Sequence, residues 1–302
     1  MDWKAKTARI RELVDRIRAE QGTGREAAIS TILDLASKDE ALTFDLYRAV
    51  LDLCRNSEIP AQELEPHTNR VLALWNQLHA RAKSLQRDSP GNEWMLDGEY
   101  RKVRALGGVI LDLLGCLPGS EVTEALREGV SLVDPRLKMF AVISLLRRLE
   151  PVDPAEMERV AASNEVRILL WRELCKLNMT NLMPKEWSTP EKLAASDLVH
   201  WAAHPMELGT APEEIELMLE KPFEDDQGRV FSAYLFRFRE YPKPWEPGEG
   251  WMAGVAGPFL NGRALASPWS SFERWDSRSP EEHFTELFQR ASSCVAAPPE
   301  SQ

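Results

Sequence analysis

His200 and His204 stand four residues apart in the stretch LVHWAAHPMELGTAPEEIE, residues 198–216, with Glu207 just behind them. On a helix that spacing sets two imidazoles on one face at metal-ligand distance, and Glu207 or His283 could supply a third donor. A hydrolytic zinc centre also needs a general base next to the first histidine, where the His-Glu-x-x-His pattern puts a glutamate. Trp201 holds that position here, and Pro205 turns His204 away from helical angles. The expected role of the pair is a boundary between two parts of the chain. His200, His204 and Glu207 remain the candidate metal or ligand residues, and no cofactor is implied.

A second group of residues points to recognition. Trp245, Trp251, Phe259, Trp269, Phe272 and Trp275 crowd into one short region, close to Arg237 and Arg239. Such residues form either the core of a small domain or a binding hot spot. Trp245 and Trp269 sit in proline-containing loop sequence and are the two expected at the surface. Together with Arg237 and Arg239 they make the candidate partner-binding set.

Other familiar chemistry is missing from the sequence. GVAGP, 254–258, has no phosphate-loop lysine, and its glycines are expected to let the backbone turn or approach a neighbour closely. No GxSxG occurs, and Cys54, Cys116, Cys175 and Cys294 form no CxxC pair. Scattered thiols of this kind fit a reducing compartment, and the cytoplasm is the expected location. The first residues, MDWKAKTARIRELV, lack an apolar signal core, and the most apolar stretch, LGGVILDLLGCL, carries Asp112. Membrane insertion is not expected.

The formal charge of −11 is unevenly spread, for residues 199–302 hold 17 acids against 9 bases. Clustered cations are what phosphate recognition needs, so nucleic acid and anionic membranes are disfavoured as partners. A basic protein would suit this surface, and so would plain solubility.

These residues must be positioned by secondary structure, and the first 190 residues read as helix after helix. Ile10, Leu13, Val14 and Ile17 form one apolar stripe, and Val71, Leu74, Trp75, Leu78, Ala82 and Leu85 another. Thr23 with Glu26, Asp153 with Glu156, Ser188 with Glu191 and Ser279 with Glu282 have the spacing of capping boxes. After Trp187 the texture changes, and six of the ten tryptophans lie between 187 and 275. RVFSAYLFRFRE, 229–240, is the strongest strand, followed by shorter ones at 251–259 and 270–276. Glu213, Glu214 and Glu216 follow Thr210-Ala211-Pro212 and read as the acidic first turn of a helix. Glu224 to Gly228 reads as a hairpin-like loop.

Similar helices recur at Val103, Leu137 and Val166, each with a shorter helix before the next. Asp134-Pro135-Arg136-Leu137-Lys138 before FAVISLL, and Asn164-Glu165-Val166-Arg167 before another apolar run, resemble HEAT/armadillo-type repeats, mainly over residues 99–180. The resemblance implies a curved helical scaffold that binds other proteins, with no catalytic residues to carry over. The expected fold is therefore mainly α: a HEAT-like α-superhelix of stacked helix pairs over 1–187, a small acidic, Trp-rich α+β domain over 188–293, and a disordered tail over 294–302. The expected function is a non-enzymatic protein-binding scaffold or adaptor, in one version an immunity- or antitoxin-like protein for a basic partner. The alternative is an enzyme, or a small-molecule or metal binder, with its site around residues 200–207 at the helical/α+β junction.

Overall fold

Aspartates that precede helix-forming runs become the starts of helices. Asp39 accepts from the Ala41 amide, Asp97 from Tyr100, and Asp134 from both Arg136 and Leu137. Each thereby satisfies amides that a helix leaves without an internal partner. These helices belong to a computed structural model that describes residues 3–87, 93–204, 207–209, 211–212, 214–224, 228, 230–239, 250–260 and 263–295. The chain divides into two compact units, Met1–Glu156 and Met157–Gln302.

The first unit is helical. It contains α1 (Trp3–Ala19), α2 (Thr23–Lys38), α3 (Glu40–Arg55), the single turn α4 (Ala61–Leu64), α5 (Thr68–Arg87), α6 (Gly98–Leu114), α7 (Ser120–Val130) and α8 (Pro135–Arg147). Helix α9 (Pro154–Ala162) begins at its end. Neighbours pack in sequence, α2 on α3, α5 on α6 and α7 on α8. Trp75 of α5 is wholly buried, and Gly129 of α7 lets the helices close around it. A Cβ at Gly129 would stand 2.9 Å from Leu111 Cδ2 and 3.0 Å from Ala141 Cβ, so any side chain there would have to displace its neighbours. Thr23 does not cap α2 as its spacing with Glu26 suggests. The N-cap is Gly22, at φ 54°, and Thr23 is already the first helical residue.

Two buried carboxylates tie these helices together. Asp134 is 0% exposed; one oxygen caps α8 while the other accepts from Tyr100 Oη at 2.9 Å and is ion-paired with Arg104, whose Nε lies 2.8 Å away, both on α6. Asp112 of α6 is paired with Arg55 of α3 at 2.6 Å and with Arg147 of α8. Burying an ionised carboxylate without partners costs several kcal/mol, so these pairings are conditions of the packing. The helix ends show a related device. Ser57, Leu149 and Asn178 adopt left-handed φ of 58°, 60° and 57° just after α3, α8 and a later helix. Amides of the following residues reach back to Leu53, Leu145 and Leu174 carbonyls, closing Schellman-type caps.

The second unit pairs helices with a sheet. After most of α9 come α10 (Arg167–Lys176) and α11 (Pro190–Ala202), then β1 (Glu214–Glu224), β2 (Val230–Arg239), β3 (Trp251–Leu260), β4 (Arg263–Arg274) and α12 (Pro280–Val295). The strands form one antiparallel sheet in the order β1-β2-β3-β4. Alternation along β2 assigns its two faces. Tyr234, Phe236 and Phe238 pack with Leu193, Ala194 and Leu198 of α11, while Ala233 and Leu235 pack with Phe284 and Leu287 of α12. Each of those large apolar side chains contributes roughly 1.5–3 kcal/mol by leaving water. Gly254 is the point of closest approach to α11, where a Cβ would lie 2.9 Å from Leu198 Cδ1.

Three sequence readings change here. Residues 214–224 are a strand, not a helix with an acidic first turn: Glu214 and Glu216 face Arg239 and Arg237 across the β1–β2 ladder. The short strand at 270–276 is the end of a longer one, β4. Helix α11 starts at Pro190 with Thr189 as N-cap, one residue later than the Ser188–Glu191 spacing suggests. The Ser279–Glu282 box does form, with Ser279 N donating to Glu282 Oε2 at 2.7 Å and Glu282 N to Ser279 Oγ at 3.3 Å.

Two substitutions test this account in opposite directions. Asp134→Ala removes a cap and strands Tyr100 and Arg104, and it is expected to lower unfolding free energy by about 3 kcal/mol or more. Leu149 is 82% exposed in a backbone conformation that glycine prefers, so Leu149→Gly is expected to gain about 1 kcal/mol. Urea denaturation of both variants checks the pair.

Candidate functional site

The pairing of β1, β2, β3 and β4 lays two rows of side chains across one end of the α12 face. One row runs Glu214, Arg239, Trp251; the next runs Glu216, Arg237, Ala253, Glu273. Helix α12 covers the neighbouring Ala233, Leu235 and Val255 but leaves Glu214, Glu216 and the two arginines accessible. Arg237 Nη2 lies 2.6 Å from Glu216 Oε2, and Arg239 Nη2 lies 2.7 Å from Glu214 Oε1. Both guanidinium groups also lie over the Trp251 ring, 4.6 Å and 5.0 Å from its centroid. Stacking and pairing together hold these long side chains in fixed positions. The four charges balance, so the patch makes no demand for a counter-ion. What it offers is a rigid surface of indole, guanidinium planes and carboxylates.

The β4–α12 junction adjoins this patch. His283 is 0% exposed and stacks on Trp275 at 4.7 Å. Its Nδ1 lies 2.5 Å from Glu273 Oε1, and its Nε2 lies 3.4 Å from both the Asp276 amide and Asp276 Oδ1. Glu273 also pairs with Arg278 at 3.2 Å and with Arg290. A histidine bonded to a carboxylate has the outline of a catalytic dyad, but this imidazole is sealed and both nitrogens are engaged, so it fastens α12 to β4. Arg278 holds the Asp276 carboxyl down to about 2, by a side-chain and a backbone hydrogen bond. The Ser279 amide and hydroxyl likewise lower Glu282.

The residues singled out by spacing are placed as follows. His200 is half-buried in the last turn of α11, which ends at Ala202; His204 lies beyond that end, exposed, its ring 6.4 Å from Trp201. Glu207 is exposed on the turn that follows. Among the described residues no group of three or more His, Cys, Asp or Glu is disposed to hold a metal ion. Arg237 and Arg239 come together on one face, with Trp251 between strands. Trp245 lies outside the described residues, and so does the side chain of Trp269, whose backbone pairs with Gly257.

Sequence reasoning did not assemble Glu214, Glu216, Trp251 and Glu273 into this surface. The signal was present, because Glu-x-Glu and Arg-x-Arg in two strands joined by a hairpin meet as opposite-charge pairs. Two thiols and one phenol are withdrawn from chemistry. Burial pushes the Cys54 and Cys116 thiols up, so neither is a nucleophile at neutral pH. Tyr100 is raised by burial and by Asp134. No helix among the described residues is long and apolar enough to cross a membrane. No protein-family model, curated protein or solved structure matches the chain.

Asp276 gives the junction a definite pH response. A carboxyl held below its ordinary value of 3.8 adds stability above that value and loses the contribution as pH falls through about 2. The stability advantage of the wild-type chain over Asp276→Asn is therefore expected to be level above about pH 4 and to vanish near pH 2. Denaturation curves collected across that range check it; a difference independent of pH would sink the assignment.

Proposed function

We propose that the chain is a non-enzymatic protein-binding module whose contact surface is the polar end of the sheet. The observation that carries this reading is the stacking of Arg237 and Arg239 over Trp251, each arginine paired with a glutamate, beside the part of the sheet that α12 covers. Trp and Arg held rigid at a solvent boundary are the residue types that dominate protein interfaces, because little conformational entropy is lost when a partner covers them. In this reading the helices of the first unit form a scaffold of HEAT-like pairs, consistent with the sequential packing of α2 on α3, α5 on α6 and α7 on α8. The partner is basic, in keeping with 17 acids against 9 bases over residues 199–302, and a basic toxin neutralised by an immunity-type protein is one such pair. The work is done in the cytoplasm, which suits the free thiols Cys54, Cys116 and Cys175.

The test is direct. Proteins captured on the immobilised chain are identified, and the recovered partner is titrated against purified variants. Trp251→Ala is expected to weaken binding by about 2 kcal/mol, and Arg239→Lys, which keeps the charge but loses the planar stack, by a smaller amount. Unchanged affinity in both variants would overturn the contact surface. Stoichiometric metal lost in a His200→Ala variant would replace the reading with a metal-site function.

A further inference from the structure

We infer that β1 receives an extended basic segment of the partner, in which lysine or arginine alternates with an apolar residue. The inference rests on the protein-binding reading and supplies the partner's chemistry. In the sheet order β1-β2-β3-β4, β1 is an edge strand, hydrogen-bonded to β2 on one side and, among the described residues, with no strand on the other. The free backbone groups of such an edge are a template for one more strand.

The first four residues of β1 are written for this purpose. Glu214 and Glu216 lie on the α12 face, while Ile215 and Leu217 lie on the other. Their two-residue repeat, about 6.6–6.8 Å, is also the repeat at which an added strand presents alternate side chains. Arg239 and Arg237 hold the two carboxylates, yet each glutamate side chain remains 48% exposed, so a second cation can reach it without any reorganisation. Leu217 is 46% exposed at the sheet edge, where an apolar neighbour would cover it.

Farther along, the strand resists pairing. The register shifts between Leu217 and Leu219, Pro222 has no amide to donate, and Lys221 adds a like charge. These features confine addition to Glu214–Leu217 and prevent indiscriminate growth of the sheet. Charge selects the occupant. A second copy of β1, or any acidic strand, would set carboxylates opposite Glu214 and Glu216, which is unfavourable. A basic strand reverses the sign of that interaction.

Fluorescence anisotropy with three synthetic peptides of one composition tests the idea. The first alternates lysine with valine; the second groups the lysines in one block; the third alternates them but carries N-methylated amides. The first is expected to bind the full chain at least roughly tenfold more tightly than the other two, and Glu214→Gln/Glu216→Gln is expected to lose most of that advantage. Thermal melts confirm that the variant is folded. Equal binding of the three peptides would show adventitious charge attraction and overturn the proposal. A native partner that still binds Glu214→Gln/Glu216→Gln but not Trp251→Ala would overturn strand addition alone and leave the protein-binding reading in place.

Discussion

The constraint on which the rest of this structure depends is that a charge taken out of water must be given partners of opposite charge or polarity. Asp134 meets it by capping α8 with one oxygen and receiving Tyr100 and Arg104 with the other. Arg167, 1% exposed, meets it without a carboxylate among its bonded partners. Its nitrogens donate to the carbonyls of Ala161, Ala162 and Lys192 and to Asn164 Oδ1, and its plane lies 4.7 Å from Trp187. Burial alone lowers this guanidinium to about 10, yet the cation is retained because it answers the carbonyl end of α9. Buried charge in this chain is thus a joint between helices, and each joint fixes where the next element begins.

That constraint also decides where function can lie. Asp112, Asp134 and Arg167 have the chemistry of a catalytic site and none of its accessibility. The same holds for His283, whose two nitrogens are both engaged. Because Glu273 receives His283, Arg278 and Arg290, α12 is anchored where β4 ends and runs from there across Ala253 and Val255. The row Glu214, Arg239, Trp251 is left accessible, so the exposure of the patch follows from the way α12 is fastened.

Much of the helical half was legible in the sequence, because apolar residues at a period of 3.6, and at α3, α6 and α8 an aspartate before the run, carry local information. The β2 strand was legible for the same kind of reason: its alternation separates the α11 face from the arginine-bearing face within ten residues. β1 was not. The irregularity at Met218 shifts the alternation by one, putting Glu214 and Glu216 on one face but Glu220 and Glu224 on the other, so no single period describes the segment. The division between units was also hidden. Composition changes after Trp187, but packing divides the chain after Glu156, since Ile168 of α10 and Leu193 and Leu198 of α11 belong to the core beneath the sheet. Composition reports what a segment is made of, whereas packing reports which apolar face it needs.

The candidate surface shows why residue type was a better guide than spacing. His200 and His204 drew notice by a four-residue interval, but α11 ends at Ala202 and the interval no longer places them on one helical face. Arg237 and Arg239 drew notice as charges in a strand too apolar to need them. A charge kept on a half-buried strand requires compensation from its neighbours, and the ladder supplies it in order: Glu214 and Glu216 on one side, Trp251 on the other. Apolar residues at 237 and 239 would pack as well and lose less entropy on folding. The stability of the sheet alone therefore does not account for this arrangement. Under the proposed docking of a basic strand, the fixed positions of those two glutamates become the property that matters.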